Sequence, residues 1–211
     1  MKIIIADDHI FSLKGTESFV KEMGYNIVGT CSNGITALNL ILSQNPDLAI
    51  LDINMPGMDG LMVLKKIKES NVRTKVIILS MHNEVVLYEL ANENGAFGYV
   101  LKNQAETELK ECIETVLQEK KYVSNSIQQN LDYLTKKDVS NKSPWTEIEE
   151  QILTLIADSK TSKQIAENLF VSEKAIEYHR SKIIQKLRLP AEKNSLLKWA
   201  ILNFTNEKSP E

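Results

Sequence analysis

The sequence predicts an α/β fold in residues 1–120. Five short runs rich in Ile, Leu and Val alternate there with segments of helical periodicity. Runs that are apolar throughout are typical of strands buried on both faces. The alternation predicts right-handed βαβ crossovers and a five-stranded parallel sheet covered by helices on both sides. The predicted strands are Lys2–Ala6, Asn26–Cys31, Leu48–Leu51, Lys75–Ser80 and Gly98–Leu101. The predicted helices are Phe11–Met23, Gly34–Ser43, Gly60–Glu69, Val85–Asn94 and Glu106–Leu117.

The remainder of the chain predicts a smaller, all-α domain. Residues 121–143 are polar and rich in Lys, Asn and Ser, which is typical of a linker, with a short helix within Ile127–Leu134. Helical periodicity returns in residues 144–206, and residues 207–211 form a tail. N-caps are expected at Thr161 or Ser162 and at Ser172. The four predicted helices are Thr146–Ala157, Ser162–Asn168, Glu173–Leu187 and Glu192–Phe204.

Composition is that of a globular protein. Hydrophobic residues make up 43% of the 211 residues and charged residues 25%. No stretch approaches the roughly 18 uncharged apolar residues of a membrane helix, so we expect no membrane partner. Two acids follow the first apolar run, which argues against a signal peptide and for a cytoplasmic protein. Cys31 and Cys112 have no metal-ligand or CxxC spacing, and we expect both to be reduced thiols.

Charge is unevenly distributed between the two parts. Residues 1–120 carry 11 basic and 16 acidic side chains, a net charge of −5. Residues 145–206 carry 9 basic and 8 acidic side chains, a net charge of +1. This difference permits nucleic-acid binding by the C-terminal part but does not require it, because affinity grows with the number of phosphates neutralised.

Three acidic residues, a hydroxyl and a lysine follow the ends of predicted strands. Asp7 and Asp8 end the first strand, Asp52 the third and Ser80 the fourth, and Lys102 follows the fifth. Ligands of open parallel sheets bind beyond the carboxyl ends of the strands. We therefore expect these five side chains to converge at one edge of the sheet.

Their chemistry predicts a phosphoryl-accepting aspartate. Carboxylates so close together repel one another and need a compensating cation. Oxygen ligands of this kind suit Mg²⁺, which binds a few carboxylates together with phosphate oxygens. A carboxylate can act as a nucleophile and form an aspartyl-phosphate, while the metal ion and an ammonium neutralise charge on the phosphoryl oxygens.

Four motifs in residues 1–120 resemble the receiver domain of two-component response regulators: IIIADDH, LAILDINMPGMDGL, VIILSMH and GAFGYVLK. The resemblance implies a flavodoxin-like sheet of order 2-1-3-4-5. It also implies that Asp52 is the phosphoacceptor. Asp7, Asp8 and Asp52 would bind Mg²⁺ with the backbone carbonyl of Asn54.

The same resemblance assigns the residues that respond to the phosphoryl group. Lys102 matches the lysine that grips it, Ser80 the hydroxyl that moves onto it, and Tyr99 the aromatic switch that follows inward. Asn54 and His82 would face the phosphoryl group from the solvent side. One hypothesis is that they orient water and speed dephosphorylation; the alternative is that both are surface residues without such a role.

Residues 159–187 predict a helix, a short turn at Phe170–Ser172 and a second helix with exposed cations. Such a helix fits the DNA major groove, but the spacing alone fits a generic helical hairpin equally well. Residues 143–206 resemble the LuxR/NarL-type helix-turn-helix, and a receiver joined to this domain is the NarL/FixJ architecture. The resemblance implies double-stranded DNA as a partner. The same similarity implies that four residues contact the DNA backbone: Lys163, Lys174, Arg180 and Lys182. It implies that three residues face the bases: Glu177, Tyr178 and Ser181.

The helix-turn-helix also departs from the family pattern. Ser159 stands where Gly is usual, Ser162 where Asn is usual, and Ala175 where Thr is usual. Lys or Arg is common at the positions of Glu177 and Ser181. Glu177 could accept a hydrogen bond from a cytosine amino group but would repel phosphate. The fold and general function carry over, and the operator sequence does not.

The combined expectation is a regulator and not a dedicated enzyme. A sensor histidine kinase phosphorylates Asp52, and phosphorylation controls homodimerisation and DNA binding, with RNA polymerase as a further partner and slow autodephosphorylation as the reset. The alternative is a phosphorylation-dependent protein-interaction module without sequence-specific DNA binding. A haloacid-type phosphatase is disfavoured, because that family has a second aspartate where this chain has Asn54.

Overall fold

The structure is a computed structural model that describes residues 1–70, 72–138, 145–169, 171, 173–190, 192 and 194–204. The chain divides into two units, Met1–Leu131 and Asp132–Glu211. Among the described residues, no helix combines the length and the apolar character needed to cross a membrane.

Six parallel strands form the sheet of the first unit, in the order β2-β1-β3-β4-β5-β6. The predicted α/β class and the order of the first five strands are therefore confirmed, and the five strands and five helices predicted in residues 1–120 lie within one residue of their observed bounds. The strands are β1 Lys2–Ala6, β2 Asn26–Cys31, β3 Leu48–Asp52, β4 Lys75–Ser80, β5 Gly98–Leu101 and β6 Tyr122–Val123. The helices that connect them are α1 Ile10–Glu22, α2 Gly34–Gln44, α3 Gly60–Glu69, α4 Val85–Glu93 and α5 Ala105–Leu117.

Helices cover both faces of this sheet. Successive residues of a strand point to opposite faces of the sheet. Ile77 therefore packs in the apolar cluster that includes residues of α1 and α5, and Ile78 packs in the cluster that includes residues of α2, α3 and α4. Both isoleucines are 0% exposed. Burial of such a side chain contributes about 1.5–3 kcal/mol, which accounts for the apolar runs that identify the strands.

The stretch predicted as a linker contains two further elements. β6 pairs with β5, with Tyr99 opposite Val123, and α6 spans Asn125–Asp138. Ile127 of α6 is 0% exposed and belongs to a core cluster of the first unit. The linker boundaries proposed from the sequence stay a prediction. A two-residue strand is too short to show a periodicity, and its pairing could not be predicted.

The loop after β3 is shaped by a capping residue and two glycines. Asp59 caps α3 by accepting a 2.8 Å hydrogen bond from the amide of Met62. Gly57 has a φ of 77°, a conformation that side-chain-bearing residues rarely adopt. A Cβ on Gly60 would lie 2.1 Å from the carbonyl oxygen of Asp52. The absence of a side chain there lets α3 begin directly against the end of β3.

The second unit contains four further helices packed around one apolar cluster. They are α7 Glu147–Ala157, α8 Ser162–Leu169, α9 Glu173–Leu187 and α10 Ser195–Phe204. The prediction that the last helix begins at Glu192 is wrong, because Asn194 adopts a left-handed conformation with a φ of 68°. Trp145 and Trp199 meet edge to face with their ring centroids 5.5 Å apart, within the cluster.

Hydrogen bonds fix the helix ends of this unit. Thr146 and Glu149 form a capping box at the start of α7. Thr161 caps α8 by accepting from the amide of Gln164. Ser159, where the family pattern has glycine, has a φ of 59° directly after α7. The expected turn residue Phe170 and cap Ser172 lie outside the described residues.

Gly60→Ala should destabilise the first unit, because a Cβ would collide with the backbone carbonyl of Asp52. Overpacking of this kind costs about 1–3 kcal/mol. Gly15→Ala is the matched control: apart from its chain neighbours and the backbone of α1, no described residue has an atom within 4 Å of a Cβ added at Gly15, and alanine should stabilise that helix by roughly 0.5–1 kcal/mol. Urea unfolding followed by far-UV circular dichroism measures both. Equal effects of the two substitutions would contradict the role of Gly60.

Candidate functional site

One lysine joins two buried carboxylates at the carboxyl edge of the sheet. The Lys102 ammonium lies 2.8 Å from Oδ2 of Asp7 and 3.1 Å from Oδ2 of Asp52. Asp7 follows β1 directly, Asp52 ends β3, and Lys102 begins the 3-10 turn after β5. All three are largely buried, with side chains 9% exposed or less. The predicted convergence of these groups is confirmed.

Asp8 completes an acidic cluster together with a histidine that the sequence analysis did not assign. Ligand atoms of Asp7, Asp8, His9 and Asp52 all lie within 4.8 Å of one another. His9 Nδ1 is 2.7 Å from Oδ1 of Asp8, and the His9 amide donates to Oδ1 of Asp7. Ser12 of α1 also donates to Asp7, at 2.5 Å. The one indication in the sequence that His9 belongs to this cluster is its position directly after Asp7 and Asp8.

The Asp52 carboxylate is held between opposing electrostatic effects. Burial raises its pKa, the Lys102 ammonium lowers it, and the negative charge of Asp7 raises it again. A backbone hydrogen bond from Asn54 also favours the ionised form. Within the part of the chain that the structure describes, Oδ2 of Asp52 is buried without a hydrogen bond of good geometry, although it lies in ion-pair contact with Lys102. An incompletely satisfied carboxylate oxygen among three carboxylates fits a hard divalent cation such as Mg²⁺.

Ser80 and Tyr99 are both buried and both contact the backbone of His82. The hydroxyl of Ser80 accepts from the His82 amide at 3.0 Å, and Tyr99 Oη donates to the His82 carbonyl at 2.9 Å. Burial raises the pKa of Tyr99, so its hydroxyl is protonated. On the solvent side, Asn54 Nδ2 and His82 Nε2 are 2.9 Å apart. The loop after β4 is thus held by the side chains expected to respond to a phosphoryl group.

The predicted DNA-contact residues lie on α8 and α9 of the second unit. Lys163 of α8 is exposed, and so are Glu177 and Ser181 of α9. The Ser181 hydroxyl donates to the Glu177 carbonyl at 2.9 Å, so this donor is engaged within the helix. The Lys182 ammonium lies 4.8 Å from the ring centroid of Tyr178. The other two predicted residues, Lys174 and Arg180, are half-buried on α9.

Comparison with known proteins matches both units to families. Residues 3–114 match the family described as response regulator receiver domain. Residues 143–195 match bacterial regulatory proteins of the luxR family. The chain belongs to the NarL/FixJ-type response regulators. It is therefore a phosphorylation-regulated transcription regulator and not a dedicated enzyme.

Two relatives of this response regulator align along nearly its whole length, and a third aligns with 55% of it. Oxygen regulatory protein NreC of Staphylococcus haemolyticus is 36% identical over 213 aligned residues, covering 95% of this chain and 97% of that protein. A solved LuxR-family DNA-binding response regulator of Staphylococcus aureus is 37% identical with a TM-score of 0.53, covering 55% of this chain and 97% of that one. The response regulator RcsB, solved as a DNA complex, is 26% identical with a TM-score of 0.64, covering 97% and 98%.

A buried histidine lies in the output unit of the regulator. His179 of α9 is 6% exposed, and neither ring nitrogen has a hydrogen-bond partner among the described residues. Burial lowers the pKa of His179 to about 4, the Glu149 carboxylate opposes that shift, and the Lys182 ammonium adds to it. The ring is therefore neutral at pH 7, which suits a structural role.

Stability of the second unit should fall as the pH drops from about 6.5 to about 4, because the unfolded chain protonates His179 before the folded unit does. The full contribution, present above pH 6.5, is about 3 kcal/mol at one pKa unit per 1.36 kcal/mol. His179→Leu should flatten this dependence. Both tryptophans of the chain, Trp145 and Trp199, lie in this unit, so urea unfolding followed by tryptophan fluorescence isolates it. Parallel pH profiles for wild type and variant would contradict the prediction.

Proposed function

We propose that Asp52 accepts a phosphoryl group from a sensor histidine kinase and thereby controls DNA binding by residues 144–206. The observation that carries the proposal is the Lys102 ammonium lying within 3.1 Å of both Asp7 and Asp52. A buried carboxylate beside a fixed ammonium and further acids has the arrangement that a nucleophile needs for phosphoryl transfer.

The acidic cluster is the proposed Mg²⁺ site. Asp7, Asp8 and Asp52 would hold the ion together with the backbone carbonyl of Asn54, and their oxygen donors suit it. When bound, Mg²⁺ neutralises negative charge on the transferring phosphoryl oxygens. The His9 side chain, 2.7 Å from Asp8, holds that carboxylate at the rim of the cluster.

The chain's own residues orient the acceptor and register its modification. Lys102 holds Asp52 in place and offers its positive charge to the incoming phosphoryl group. When the Ser80 hydroxyl turns toward that group, it gives up its hydrogen bond from the His82 amide. Tyr99 already lies inside and holds the His82 carbonyl, so the loop would lose one of these two side-chain contacts and keep the other.

The output is proposed to be homodimeric binding to double-stranded DNA. A net charge of +1 over residues 145–206 binds phosphates weakly, and two copies on one duplex convert weak contacts into a bivalent one. RNA polymerase is the expected further partner at a promoter. The exposed Glu177 favours a second candidate, a phosphorylation-dependent protein-interaction module, because its carboxylate repels DNA phosphates.

Acetyl phosphate with Mg²⁺ should add one phosphoryl group to wild type and none to Asp52→Asn, because the amide cannot act as the nucleophile. Asp59→Asn is the matched control: Asp59 caps α3, a role that asparagine also performs, and is outside the acidic cluster. Intact-protein mass spectrometry measures the three proteins. Equal labelling of wild type and Asp52→Asn would refute the assigned acceptor.

Asn54→Leu should slow autodephosphorylation about fivefold, the effect of losing one hydrogen bond of about 1 kcal/mol to the attacking water. His82→Leu removes the other side chain of the same 2.9 Å contact and should act in the same direction. Phosphate release from the purified phosphoprotein gives both rates. Rates equal to that of wild type would assign both side chains no role in dephosphorylation.

Lys163→Ala should weaken DNA binding across all sequences and reduce the salt dependence by about one phosphate contact. The control is Lys198→Ala, which removes an exposed lysine on α10 and should leave the salt dependence unchanged. Fluorescence anisotropy on duplex DNA between low and moderate salt measures the slopes. Identical slopes for the two variants would contradict a backbone contact by Lys163. Absence of DNA binding with and without acetyl phosphate would favour the protein-interaction module.

A further inference from the structure

Ser124 connects the end of β5 to the start of α6. It is 0% exposed. Its amide donates to the carbonyl of Tyr99 at 2.9 Å, and its hydroxyl accepts from the amide of Leu101 at 3.0 Å. Its own carbonyl accepts from the amide of Gln128 in the first turn of α6. One buried serine therefore holds both the last residues of a strand and the beginning of the next helix.

The Ser124 hydroxyl in turn donates to a buried carboxylate on α5. Glu108 is 6% exposed, and its other oxygen accepts from the amide of Asn125 at 3.3 Å and from its side chain at 3.2 Å. One turn earlier, at the N-cap position of α5, Gln104 donates to Ser126 at 2.7 Å. We call these five residues the α5–α6 latch. A buried carboxylate is costly unless its oxygens are bonded, so this latch favours one arrangement of the start of α6.

The latch contacts β5, the strand that carries Tyr99 and directly precedes Lys102. Tyr99, whose carbonyl it binds, is the predicted aromatic switch, and Leu101, whose amide it binds, directly precedes Lys102. Ile127 of α6 is 0% exposed in the core cluster that contains Tyr99 and Leu101. Any shift of this strand end alters both the hydrogen bonds of the latch and the packing of α6.

We propose that Ser124 is a positioning residue that couples the phosphorylation state of the sheet edge to the first turns of α6. The coupling rests on the proposed role of Asp52. In sequence, α6 is the last described helix before α7 and spans the boundary between the two units, so a change in its stability acts where one unit passes into the other. The coupling requires two positions of the end of β5. In one position the hydrogen bonds of Ser124 are satisfied, and in the other they are strained.

Hydrogen exchange of the full chain, measured by mass spectrometry with and without acetyl phosphate and Mg²⁺, tests the coupling. In wild type, phosphorylation should change the exchange rates of the amides from Gln128 to Leu131 at least about fivefold. A factor of about five corresponds to the lower end of ordinary coupling free energies. In Ser124→Ala, at equal phosphorylation, this change should shrink to less than about twofold. The reason is that alanine lacks the hydroxyl that joins the end of β5 to the start of α6. A purely structural role would shift both states equally and leave their ratio intact.

Two further variants keep the test decisive. Ser43→Ala removes an exposed serine hydroxyl of α2 that donates to the nearby Leu40 carbonyl, and this variant should retain the full wild-type change. Glu108→Gln weakens the latch without creating a cavity and decides the matter if Ser124→Ala fails to fold. Phosphorylated wild type with unchanged exchange in α6, or a latch variant that retains the full change, would overturn the coupling. Failure of Asp52 to gain a phosphoryl group would instead refute the proposed acceptor, and the coupling with it.

Discussion

The contact of one ammonium with two buried carboxylates is the constraint on which the site depends. Without Lys102, Asp7 and Asp52 would be two neighbouring, nearly inaccessible negative charges, and removal of one partner from a buried ionic group typically costs about 3–5 kcal/mol. The fold accommodates this cluster because each of its side chains lies at the end of a strand. A short turn there can direct the side chain to the same point at the carboxyl edge of the sheet. The same repulsion between neighbouring carboxylates favours the binding of a divalent cation.

Backbone geometry around the acidic cluster explains why its neighbouring negative charges stay close together. Gly60 lets α3 start against the Asp52 carbonyl, and Asp59 anchors that helix, so the acceptor loop has little freedom. On the opposite side Ser124 fixes the end of β5 directly before Lys102. We propose that two elements beside the charged side chains respond to phosphorylation: the loop held by Ser80 and Tyr99, and the helix held by the α5–α6 latch.

Much of the fold followed from the sequence, because strands buried on both faces must be apolar throughout and helices between them must be amphipathic. The placing of Asp7, Asp52 and Lys102 followed from a topological rule about strand ends. Contacts that depend on tertiary proximity did not follow. The bonds of His9 and Ser12 to the acids carry no local signature, β6 is too short for a pattern, and the late start of α10 depends on the left-handed conformation of one asparagine.

The most direct measurement of the charge balance at this site is the stability of Lys102→Met with and without Mg²⁺, by urea unfolding followed by far-UV circular dichroism. In the absence of Mg²⁺ the variant should lose about 3–5 kcal/mol relative to wild type, because two buried carboxylates lose their counter-charge. Saturating Mg²⁺ should then restore more stability to the variant than it adds to wild type, since the ion supplies the missing positive charge. A variant as stable as wild type without Mg²⁺, or an equal gain from Mg²⁺ in both proteins, would contradict the central role of this lysine.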